Sequence, residues 1–492
     1  MHISGKSAMI LGAGPAGLAS ALELARNHVK TTVVEREAEV GGLCRTLRRD
    51  GYYFDIGGHR FFSKNREINE LWREVLQDDY LVVNRKSRIF YNKRYFDYPL
   101  SLPNVIKNLG MKNSFFCFLS YLKSQWRRRG DDSTFEGWIS NRFGARLYRI
   151  FFKSYTEKVW NIPCQTLSSD WAIQRIQGMS LRRALLHAIL KNQNRFTKSL
   201  VTEFIYPIYG PGLFSEKLKR LSESPGSQYL LRKEVTAITH DDRQILEITL
   251  KGPEGEMQNH RSDYYLSSIP LTVLVQRLVP PPPEEIVETA ERLRFRSFIV
   301  VNVILNRKNV FEDNWIYVHD PSVKLARIQN YKNWSHFMVK DPEKTSLGLE
   351  YFASEGDELW TKAPEDMIDF AMKELEAIGL GPGADLIDAF VVKIPKVYPI
   401  YHKTYREDLE TIRRYLEGFS NLQVMGRTGM FRYDNSDHAL LTGLYAARNL
   451  FGHHHDLWNV NTDPEYHEEL GPYNKVINGI YPHPEAHPAG TP

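Results

Sequence analysis

The hydrophobic pattern of the first forty-five residues changes its period twice. An apolar run at residues 8–11 is followed by residues 18–25, where leucine and alanine recur on one helical face. A second apolar run, at residues 31–34, ends in the acid Glu35. Short apolar runs are typical of buried strands, and the helical period predicts a helix between them. We therefore expect a strand, a turn, a helix and a second strand closed by the acid.

The turn between the first strand and the helix reads G-A-G-P-A-G at residues 12–17. In such a turn Gly12 allows the sharp bend, Gly14 lets a pyrophosphate approach the backbone, and Gly17 lets helix and strand pack closely. The N–H groups at the helix start favour an anion, and Glu35 can accept hydrogen bonds from an adenosine ribose. A lone glycine pattern can be only a turn. Here the strands, the helix and the acid are in register, which predicts a dinucleotide site.

A second glycine pair follows the acid at once. Residues 41–46 read G-G-L-C-R-T, so Gly42 can give the backbone a second approach to the cofactor and Arg45 can bind a phosphate. A glycine pair and a basic residue at this place resemble flavin enzymes of the glutathione-reductase type. The resemblance implies FAD rather than NAD, and an ordinary surface turn is the alternative. The expected fold class is α/β, with a Rossmann-like FAD-binding domain of the glutathione-reductase type.

The rest of the chain shows further pattern changes. Residues 86–99 alternate like a hairpin with Asn92 and Lys93 at its turn, and residues 103–200 are mainly helical. We expect an inserted, mainly helical domain and a β-sheet substrate domain. The predicted division is residues 1–100, 201–270 and 390–452 for FAD binding, 101–200 for the helical insertion, 271–389 for the substrate-binding sheet, and 453–492 for a C-terminal extension with a disordered end.

Composition and charge narrow the class of protein. The 492 residues carry a net charge of only +5, and the one tight basic cluster, residues 127–129, is more typical of a solvated helix end than of a nucleic-acid interface. Contact of this cluster with an anionic membrane surface is also open. Cys44, Cys117 and Cys164 are too far apart for a disulfide framework or a metal motif, which fits a reducing compartment.

Targeting signals are the next consideration. The chain enters its first strand without a signal peptide, and no apolar run reaches the length of a transmembrane helix. Residues 115–122 form the most apolar stretch and read as a buried or interfacial helix. We therefore expect a cytoplasmic protein with no integral membrane segment.

Several further segments, distant from one another in the chain, matter together. They are residues 57–63, 155–163 with Trp171 and Arg175, 204–212, 326–331 and 426–438. With the N-terminal fingerprint they resemble, in this order along the chain, the UDP-galactopyranose mutase family, and its longer eukaryotic-type members in particular. The general frame is shared with amine-oxidase and protoporphyrinogen-oxidase flavoproteins.

The resemblance implies which residues bind the substrate. Arg175 and Arg327 match two arginines that clamp the substrate diphosphate, a task that suits a guanidinium because it binds phosphate oxygens bidentately and stays charged. Three tyrosines match residues that hydrogen-bond the same diphosphate, and an asparagine lies beside the last of them. The implied substrate-binding residues are Arg175, Arg327, Tyr331, Tyr398, Tyr433 and Asn435.

The resemblance also implies how the chain holds FAD. His59 matches a histidine beside the flavin, where the Gly57–Gly58 loop would lie against the ring, and it is counted with Arg175 and Arg327 as catalytic. Arg427 matches an arginine on the FAD pyrophosphate. The last helix would point its N-terminus at the flavin pyrimidine ring. The predicted cofactor-binding residues are Gly12, Gly14, Ala16, Gly17, Glu35, Gly42, Arg45, Gly58, His59, Val235, Gly426, Arg427, Asp437 and His438.

Simpler structural roles compete at several positions. Arg175 on its own is typical of a surface residue, Tyr398 of packing, and His59 of a core histidine. The three consecutive histidines, residues 453–455, are more typical of a solvated turn, so no metal site is expected.

The implied function is a redox-neutral pyranose–furanose ring isomerisation of a nucleotide sugar, which depends on N5 of reduced FAD, with NAD(P)H as a possible reductant. Ser436 and Ala439 stand where the family has glutamine and serine, which leaves the sugar and the nucleotide open. One alternative is an oxidoreductase of the amine-oxidase or protoporphyrinogen-oxidase type. The other is a non-catalytic flavin-binding scaffold. A small-molecule nucleotide-sugar partner is expected, no nucleic acid, and a homo-oligomer is compatible with the sequence.

Overall fold

A computed structural model describes residues 5–98, 100–126, 131–176, 203–381 and 385–460, without the side chains of residues 174–176. The strands are β1 Ser7–Leu11, β2 Lys30–Glu35, β3 Thr46–Arg49, β4 Tyr52–Asp55, β5 Tyr80–Asn84, β6 Ser87–Tyr91, β7 Arg94–Asp97, β8 Glu203–Pro207, β9 Gln228–Leu231, β10 Glu234–His240, β11 Ile245–Lys251, β12 Met257–His260, β13 Tyr264–Ser267, β14 Leu278–Val279, β15 Phe295–Leu305, β16 Trp315–Val318, β17 Arg327–Asn330, β18 Thr345–Ala353, β19 Leu386–Pro399 and β20 Leu422–Val424.

The α-helices that the structure describes alternate with these strands and cluster between β7 and β8. They are α1 Pro15–Arg26, α2 Arg66–Leu76, α3 Leu102–Leu109, α4 Met111–Trp126, α5 Phe135–Phe143, α6 Ala145–Leu147, α7 Ser154–Trp160, α8 Asp170–Ile176, α9 Pro211–Ser222, α10 Leu271–Gln276, α11 Glu284–Arg292, α12 Tyr331–Trp334, α13 Glu358–Thr361, α14 Pro364–Ala377, α15 Tyr405–Leu416, α16 Gly426–Gly429 and α17 Ser436–Leu450. A π-helical segment, Tyr148–Lys153, joins α6 to α7.

A five-stranded parallel sheet contains the N-terminal elements in the order β20-β13-β1-β2-β9. Its central strand β1 is apolar and almost wholly buried, as expected for a strand covered on both faces. Gly12 has a φ of +100°, which turns the chain from β1 into α1, where Pro15 occupies the first helical turn. The predicted strand, glycine turn, helix and strand are therefore all present.

A seven-stranded sheet with the order β19-β15-β18-β17-β16-β6-β7 forms the second large layer. Its pairs are antiparallel except for β16 with β6, which are parallel. The predicted hairpin is present, with Asn92 and Lys93 at its turn. It pairs with this sheet and not with the parallel one, so residues 87–97 extend the layer that the sequence analysis began at residue 271. The division into domains stays a prediction.

Smaller sheets complete a mixed α/β architecture. A four-stranded sheet has the order β12-β11-β10-β14, and β3 pairs with β4 and β5 with β8 as two-stranded ribbons. Most of the described residues between 101 and 176 are helical, as predicted. Residues 127–129, 177–200 and the end of the C-terminal extension lie outside the described residues. Among the helices that are described, none is long and apolar enough to span a membrane.

Candidate functional site

A cavity of about 640 Å³ opens at the carboxyl ends of β1 and β2 and extends to the seven-stranded sheet. Its near end is lined by the glycine turn and Glu35, and its far end by Arg327, Tyr398 and Tyr433. In parallel α/β sheets ligands bind at the carboxyl ends of the strands. Many of the residues predicted to bind the cofactor or the substrate meet here although they are hundreds of positions apart. Those that line the cavity are Gly12, Gly14, Ala16, Glu35, Gly42, Arg45, Gly58, His59, Val235, Arg327, Tyr398, Gly426, Arg427, Tyr433 and Asn435.

The near end is held by the acid that closes β2. One oxygen of Glu35 accepts the N–H of Ala13 at 2.8 Å, and the other accepts the N–H of Glu37 at 3.0 Å. Both bonds fix the carboxylate beside the glycine turn, and each oxygen keeps a lone pair for a further donor. This geometry suits a ribose hydroxyl pair.

The two glycine turns lie against each other. A Cβ on Gly42 would come within 3.1 Å of the Cα of Gly14, and Gly42 has a φ of +54°. A Cβ on Gly17 would lie 1.9 Å from the carbonyl oxygen of Gly12, so α1 packs against the turn with no room for a side chain. Gly17 therefore does not line the cavity itself. It lets α1 pack so closely that the first N–H groups of the helix reach the cavity wall.

Arg45 contributes a cation to the same end of the cavity. It forms an ion pair with Glu37 at 2.9 Å and is itself mostly buried. The predicted phosphate partner thus already has a carboxylate partner.

His59 lies where the glycine loop after β4 enters the cavity. Its Nε2 is 2.8 Å from the carbonyl oxygen of Ile56, which requires Nε2 to carry the hydrogen and leaves Nδ1 as an acceptor. Burial lowers the pKa of His59 to about 4, and the positive charges of Arg327 and Arg427 act in the same direction. The imidazole is therefore neutral at neutral pH and donates no proton from Nδ1.

Arg327 is the cation at the far end, and its partner is an acid that the sequence analysis did not single out. Arg327 on β17 lies opposite Glu350 on β18, and the two side chains form an ion pair with the Glu350 carboxylate completely buried. Gln329 donates to the other carboxylate oxygen at 2.9 Å. Burial lowers the pKa of Arg327, but the Glu350 carboxylate and three nearby tyrosines together raise that pKa well above the ordinary value. Arg327 is therefore a fixed cation on the cavity wall.

A second cation lies between two stacked tyrosine rings and the chain turn before α17. The guanidinium of Arg427 is 4.1 Å from the ring centroid of Tyr433 and 4.9 Å from that of Tyr398. It donates to the carbonyl oxygens of Val397 at 3.1 Å and Asp434 at 2.9 Å. Cation–π contacts and these two bonds hold Arg427 rigidly at the cavity.

Two tryptophans support the tyrosine pair from behind. Trp160 meets Tyr398 edge to face at 6.3 Å, and Trp171 meets Tyr433 at 4.6 Å. Trp160 ends α7, which is held by Lys158, whose ammonium group donates to three backbone carbonyl oxygens at 2.9 Å. The K-V-W segment therefore sets the positions of the tyrosine rings without lining the cavity itself.

The last helix, α17, begins at the cavity. Asn435, Ser436 and Ala439 line the wall, so the positive end of the helix dipole faces the cavity. Asp437 and His438 do not line it, because Asp437 is buried in the first turn with His438 beside it at 3.5 Å. Their contact with the cofactor stays a prediction.

Tyr331 is placed differently from the prediction. Its side chain is buried away from the cavity, and its hydroxyl is 2.9 Å from both the carbonyl oxygen of Asp55 and the side-chain oxygen of Asn302. The ring also meets Phe54 edge to face. These contacts make Tyr331 a core residue in this structure. The sequence did not show this, because a tyrosine that follows a strand can occupy either face.

Arg175 lies in the last turn of α8, but its side chain falls outside the described residues. The predicted pairing of Arg175 with Arg327 therefore stays a prediction. Asp55 and Glu350 are the residues that sequence reasoning missed. Asp55 ends the otherwise apolar strand β4 and Glu350 lies within β18, and that isolated charge was the available signal.

The parallel sheet, the glycine turn, the acid and the long cavity are the features of an α/β protein that binds a dinucleotide cofactor, and the far end of the cavity is lined by cations. Known proteins sharpen this class. The family model of the flavin containing amine oxidoreductases matches residues 15–451. The chain therefore belongs to this family of flavoenzymes, with FAD as the cofactor.

Individual relatives differ in what they do. The probable UDP-galactopyranose mutase of Klebsiella pneumoniae is 28% identical over 181 residues, which is 34% of this chain and 44% of that protein. The L-amino-acid oxidase of Crotalus adamanteus is 36% identical over 332 residues, 63% of this chain and 60% of that protein. Each match thus spans less than two thirds of the relative. Among solved structures, that of a reduced UDP-galactopyranose mutase has a TM-score of 0.80 at 22% identity, covering 93% of this chain and 98% of the other.

Proposed function

We propose that this flavoenzyme isomerises the sugar ring of a nucleotide sugar, as a UDP-galactopyranose mutase does, and uses FAD in its reduced form. The FAD would lie in a Rossmann-like domain of the glutathione-reductase type, beside the helical region 101–200 and the sheet region 271–389. NAD(P)H is the proposed reductant. When bound, reduced flavin supplies a nucleophilic nitrogen and returns unchanged in oxidation state.

The residues at the near end fit the adenosine and pyrophosphate parts of FAD. Glu35 offers its lone pairs to the ribose, while the glycine faces of Gly14 and Gly42 and the start of α1 offer backbone to the pyrophosphate. The Gly57–Gly58 loop, His59 and the start of α17 would then surround the flavin ring. A neutral His59 fits this place because it can accept at Nδ1 and adds no charge to the two nearby arginines.

The observation that carries the proposal is the fixed cation at the far end. Arg327 is held by buried Glu350 with its guanidinium at the cavity wall, 3.6 Å from where a Cβ of Gly57 would be. A diphosphate placed there would bring the anomeric carbon of its sugar towards the flavin end, with Tyr398 and Tyr433 as hydroxyl donors. Arg175 is the proposed second arm of this clamp. An oxidase acting on a neutral or cationic amine would gain nothing from Arg327, whereas an oxidase of amino acids would use it to bind the substrate carboxylate.

The decisive assay compares oxidised and chemically reduced enzyme with UDP-galactopyranose under anaerobic conditions. We expect a ring-contracted product from the reduced enzyme only, with no net consumption of electrons. Turnover by the oxidised enzyme, with stoichiometric reduction of an acceptor, would instead support the amine-oxidase type of reaction that the family description suggests. Bound FAD without turnover of either kind would support a non-catalytic scaffold.

A paired substitution tests the diphosphate clamp without leaving a buried charge. Arg327→Gln alone would strand the Glu350 carboxylate, at a cost of about 3–5 kcal/mol, so the test variant is Arg327→Gln with Glu350→Gln. We expect UDP to bind about tenfold to a hundredfold more weakly, from loss of charge-assisted bonds of about 1.5–3 kcal/mol. Glu350→Gln alone is the matched control, since it keeps the guanidinium.

Calorimetric titration with UDP and the FAD absorbance of each variant give the two readouts. We expect FAD content to be unchanged, because the near end of the cavity is untouched. If the double variant binds UDP as well as the Glu350→Gln control does, Arg327 is not a diphosphate ligand. Arg175→Gln should weaken UDP binding in the same assay.

A further inference from the structure

Helix α4 exposes an apolar face that the enzyme site does not explain. In the part of the chain that the structure describes, seven of the thirteen exposed large hydrophobic side chains lie on this one helix, including Phe115 at 58% and Trp126 at 93% exposure. Most recur every three or four residues, which places them on a single stripe. They are Met111, Phe115, Phe116, Phe118, Leu119, Leu122 and Trp126.

The opposite side of α4 is packed and fixes the helix. Cys117, Tyr121 and Ser124 are buried against the neighbouring helices α5 and α6. Gly144 lies so close that a Cβ there would come within 2.8 Å of the backbone nitrogen of Tyr121. The exposed stripe therefore lies on a helix whose other side is already packed against the protein.

The charged residues of α4 itself are all basic. Residues 98–126 contain no Asp or Glu, and Lys112 and Lys123 are exposed at its edge. At helical spacing Lys112, Phe116 and Lys123 lie in one row along the edge of the stripe. An apolar face with a basic edge and a terminal tryptophan is the pattern of a helix that lies in a membrane interface.

A cavity of about 360 Å³ adjoins this helix. It is lined by two arginines, Arg94 and Arg146, and by the side chains of Asn92, Asn108 and Asn113 among others, and none of its lining residues is acidic. Arg146 connects the cavity to the stripe, because its guanidinium lies 5.3 Å from the ring centroid of Phe116 and donates to Asn113 at 2.8 Å. Two guanidinium groups and several amides form a site of the kind that binds phosphate oxygens.

We propose that α4 docks on an anionic phospholipid surface, with its apolar stripe inserted at the level of the headgroups and the Arg94–Arg146 cavity receiving a lipid phosphate. The protein lies on the membrane and does not cross it. Charge complementarity selects this occupant, because a second copy of α4 would bring like-charged lysine edges together.

The test is flotation of the flavin-loaded enzyme with vesicles. One set is phosphatidylcholine alone, and the other is equal parts of phosphatidylcholine and phosphatidylglycerol. We expect binding to the anionic vesicles, weakened by salt because exposed charges are screened. Changing Phe115, Phe118 and Leu122 to Ser should weaken it by at least about tenfold. The control is Leu246→Ser with Met257→Ser, which removes two exposed apolar side chains far along the chain.

The headgroup site is tested separately. Arg94→Gln should weaken binding to anionic vesicles about fivefold, whereas Arg261→Gln, at an exposed arginine outside the cavity, should not. In the wild type the tryptophan fluorescence should shift to the blue on vesicle binding, and this shift should be smaller in Trp126→Ser, a variant that cannot disturb the core because Trp126 is 93% exposed.

Three outcomes would overturn the proposal. They are no binding to anionic vesicles, equal binding to both vesicle types, or wild-type binding by the α4 variant. If gel filtration shows that the α4 substitutions turn a dimer into a monomer while vesicle binding is absent, the stripe is an interface between copies. None of these substitutions touches the flavin cavity, so FAD content and turnover in solution stay at wild-type levels whether or not the proposed function is correct.

Discussion

At the scale of single residues, Asp55 is an isolated acid in an apolar strand whose surroundings change its pKa. Asp55 ends β4 beneath the loop that leads to His59, and it is almost completely buried. It accepts a hydrogen bond from Thr46 at 2.8 Å and another from the hydroxyl of Tyr206. Burial raises the pKa of Asp55 to about 7, although both donors favour the carboxylate. The protonation of a group outside the cavity wall is therefore poised near neutral pH.

Replacing Asp55 by Asn should change how stability depends on pH. The folded-state pKa is raised to about 7, so the contribution of Asp55 relative to Asn is complete below about pH 4 and is lost as the pH rises through 7. We expect the free energy of unfolding of the wild type, minus that of Asp55→Asn, to fall between pH 5 and pH 8. Urea unfolding at both pH values measures it, and a difference that is constant or rises would contradict the assignment.

Lys158 is a second charge with a structural task, and it is half-buried. Its three carbonyl partners, at Val318, Asp320 and Leu325, tie α7 to the seven-stranded sheet. Lys158→Met should lower the free energy of unfolding by about 2–4 kcal/mol, because it leaves buried carbonyl groups without donors. Lys324→Met, at an exposed lysine nearby in the sequence, should change it by less than about 0.5 kcal/mol. Equal effects in denaturant unfolding would show that the three bonds add no stability.

At the scale of elements, the close contact of α1 with α17 determines where both helices begin. Gly443 lies against α1, where a Cβ would be 2.1 Å from the carbonyl oxygen of Ala16. Ser20 donates to the carbonyl oxygen of Gly443 at 2.8 Å across the same contact. Because both helices have their N-termini at the cavity, this packing aims two helix dipoles at the proposed cofactor site.

Gly443→Ala should separate these helices in spite of the better helix propensity of alanine. We expect a net loss of about 2 kcal/mol from overpacking together with weaker retention of FAD, measured by thermal unfolding and by flavin absorbance after dialysis. Gly381→Ala is the matched control, because its new Cβ would meet only a leucine side chain, at 3.1 Å. Unchanged flavin retention in Gly443→Ala would mean that the helix contact does not shape the site.

At the scale of the whole molecule, the cavity lies where several sheets meet. The five-stranded sheet supplies Gly12 and Glu35, the four-stranded sheet supplies Val235, and the seven-stranded sheet supplies Arg327 and Tyr398. A ligand that fills this cavity touches every one of these layers. Binding of such a ligand therefore stabilises the arrangement of these sheets.

Removal of the flavin should lower the stability of the whole protein. With FAD at about 100 to 1,000 times its dissociation constant, the bound form gains roughly 3–4 kcal/mol. We expect a lower melting temperature for the apoprotein and recovery on adding FAD. Riboflavin is the control, since it lacks the pyrophosphate and adenosine that the near end would bind, and it should restore less. Identical melting curves with and without FAD would argue against this location of the cofactor.

Features that depend on contacts between residues close in the chain follow from the amino-acid sequence alone. The glycine turn, the first helix, the acid of β2 and the hairpin around Asn92 follow from residue type and spacing, because their conformations are set by contacts a few positions apart. They were enough to predict the dinucleotide end of the cavity. The family resemblance added Arg327, Tyr398 and Arg427, all of which line it.

Which side chains face the cavity and which face the core depends on how the distant elements assemble. The hydroxyl of Tyr331 contacts Asn302, Glu350 pairs with Arg327, and Phe115 is exposed on α4. Each outcome depends on pairing between distant strands or helices, which sequence spacing does not encode. The reason is physical. A buried charge or hydroxyl takes the orientation that satisfies its bonds, and those partners exist only once the sheets have assembled.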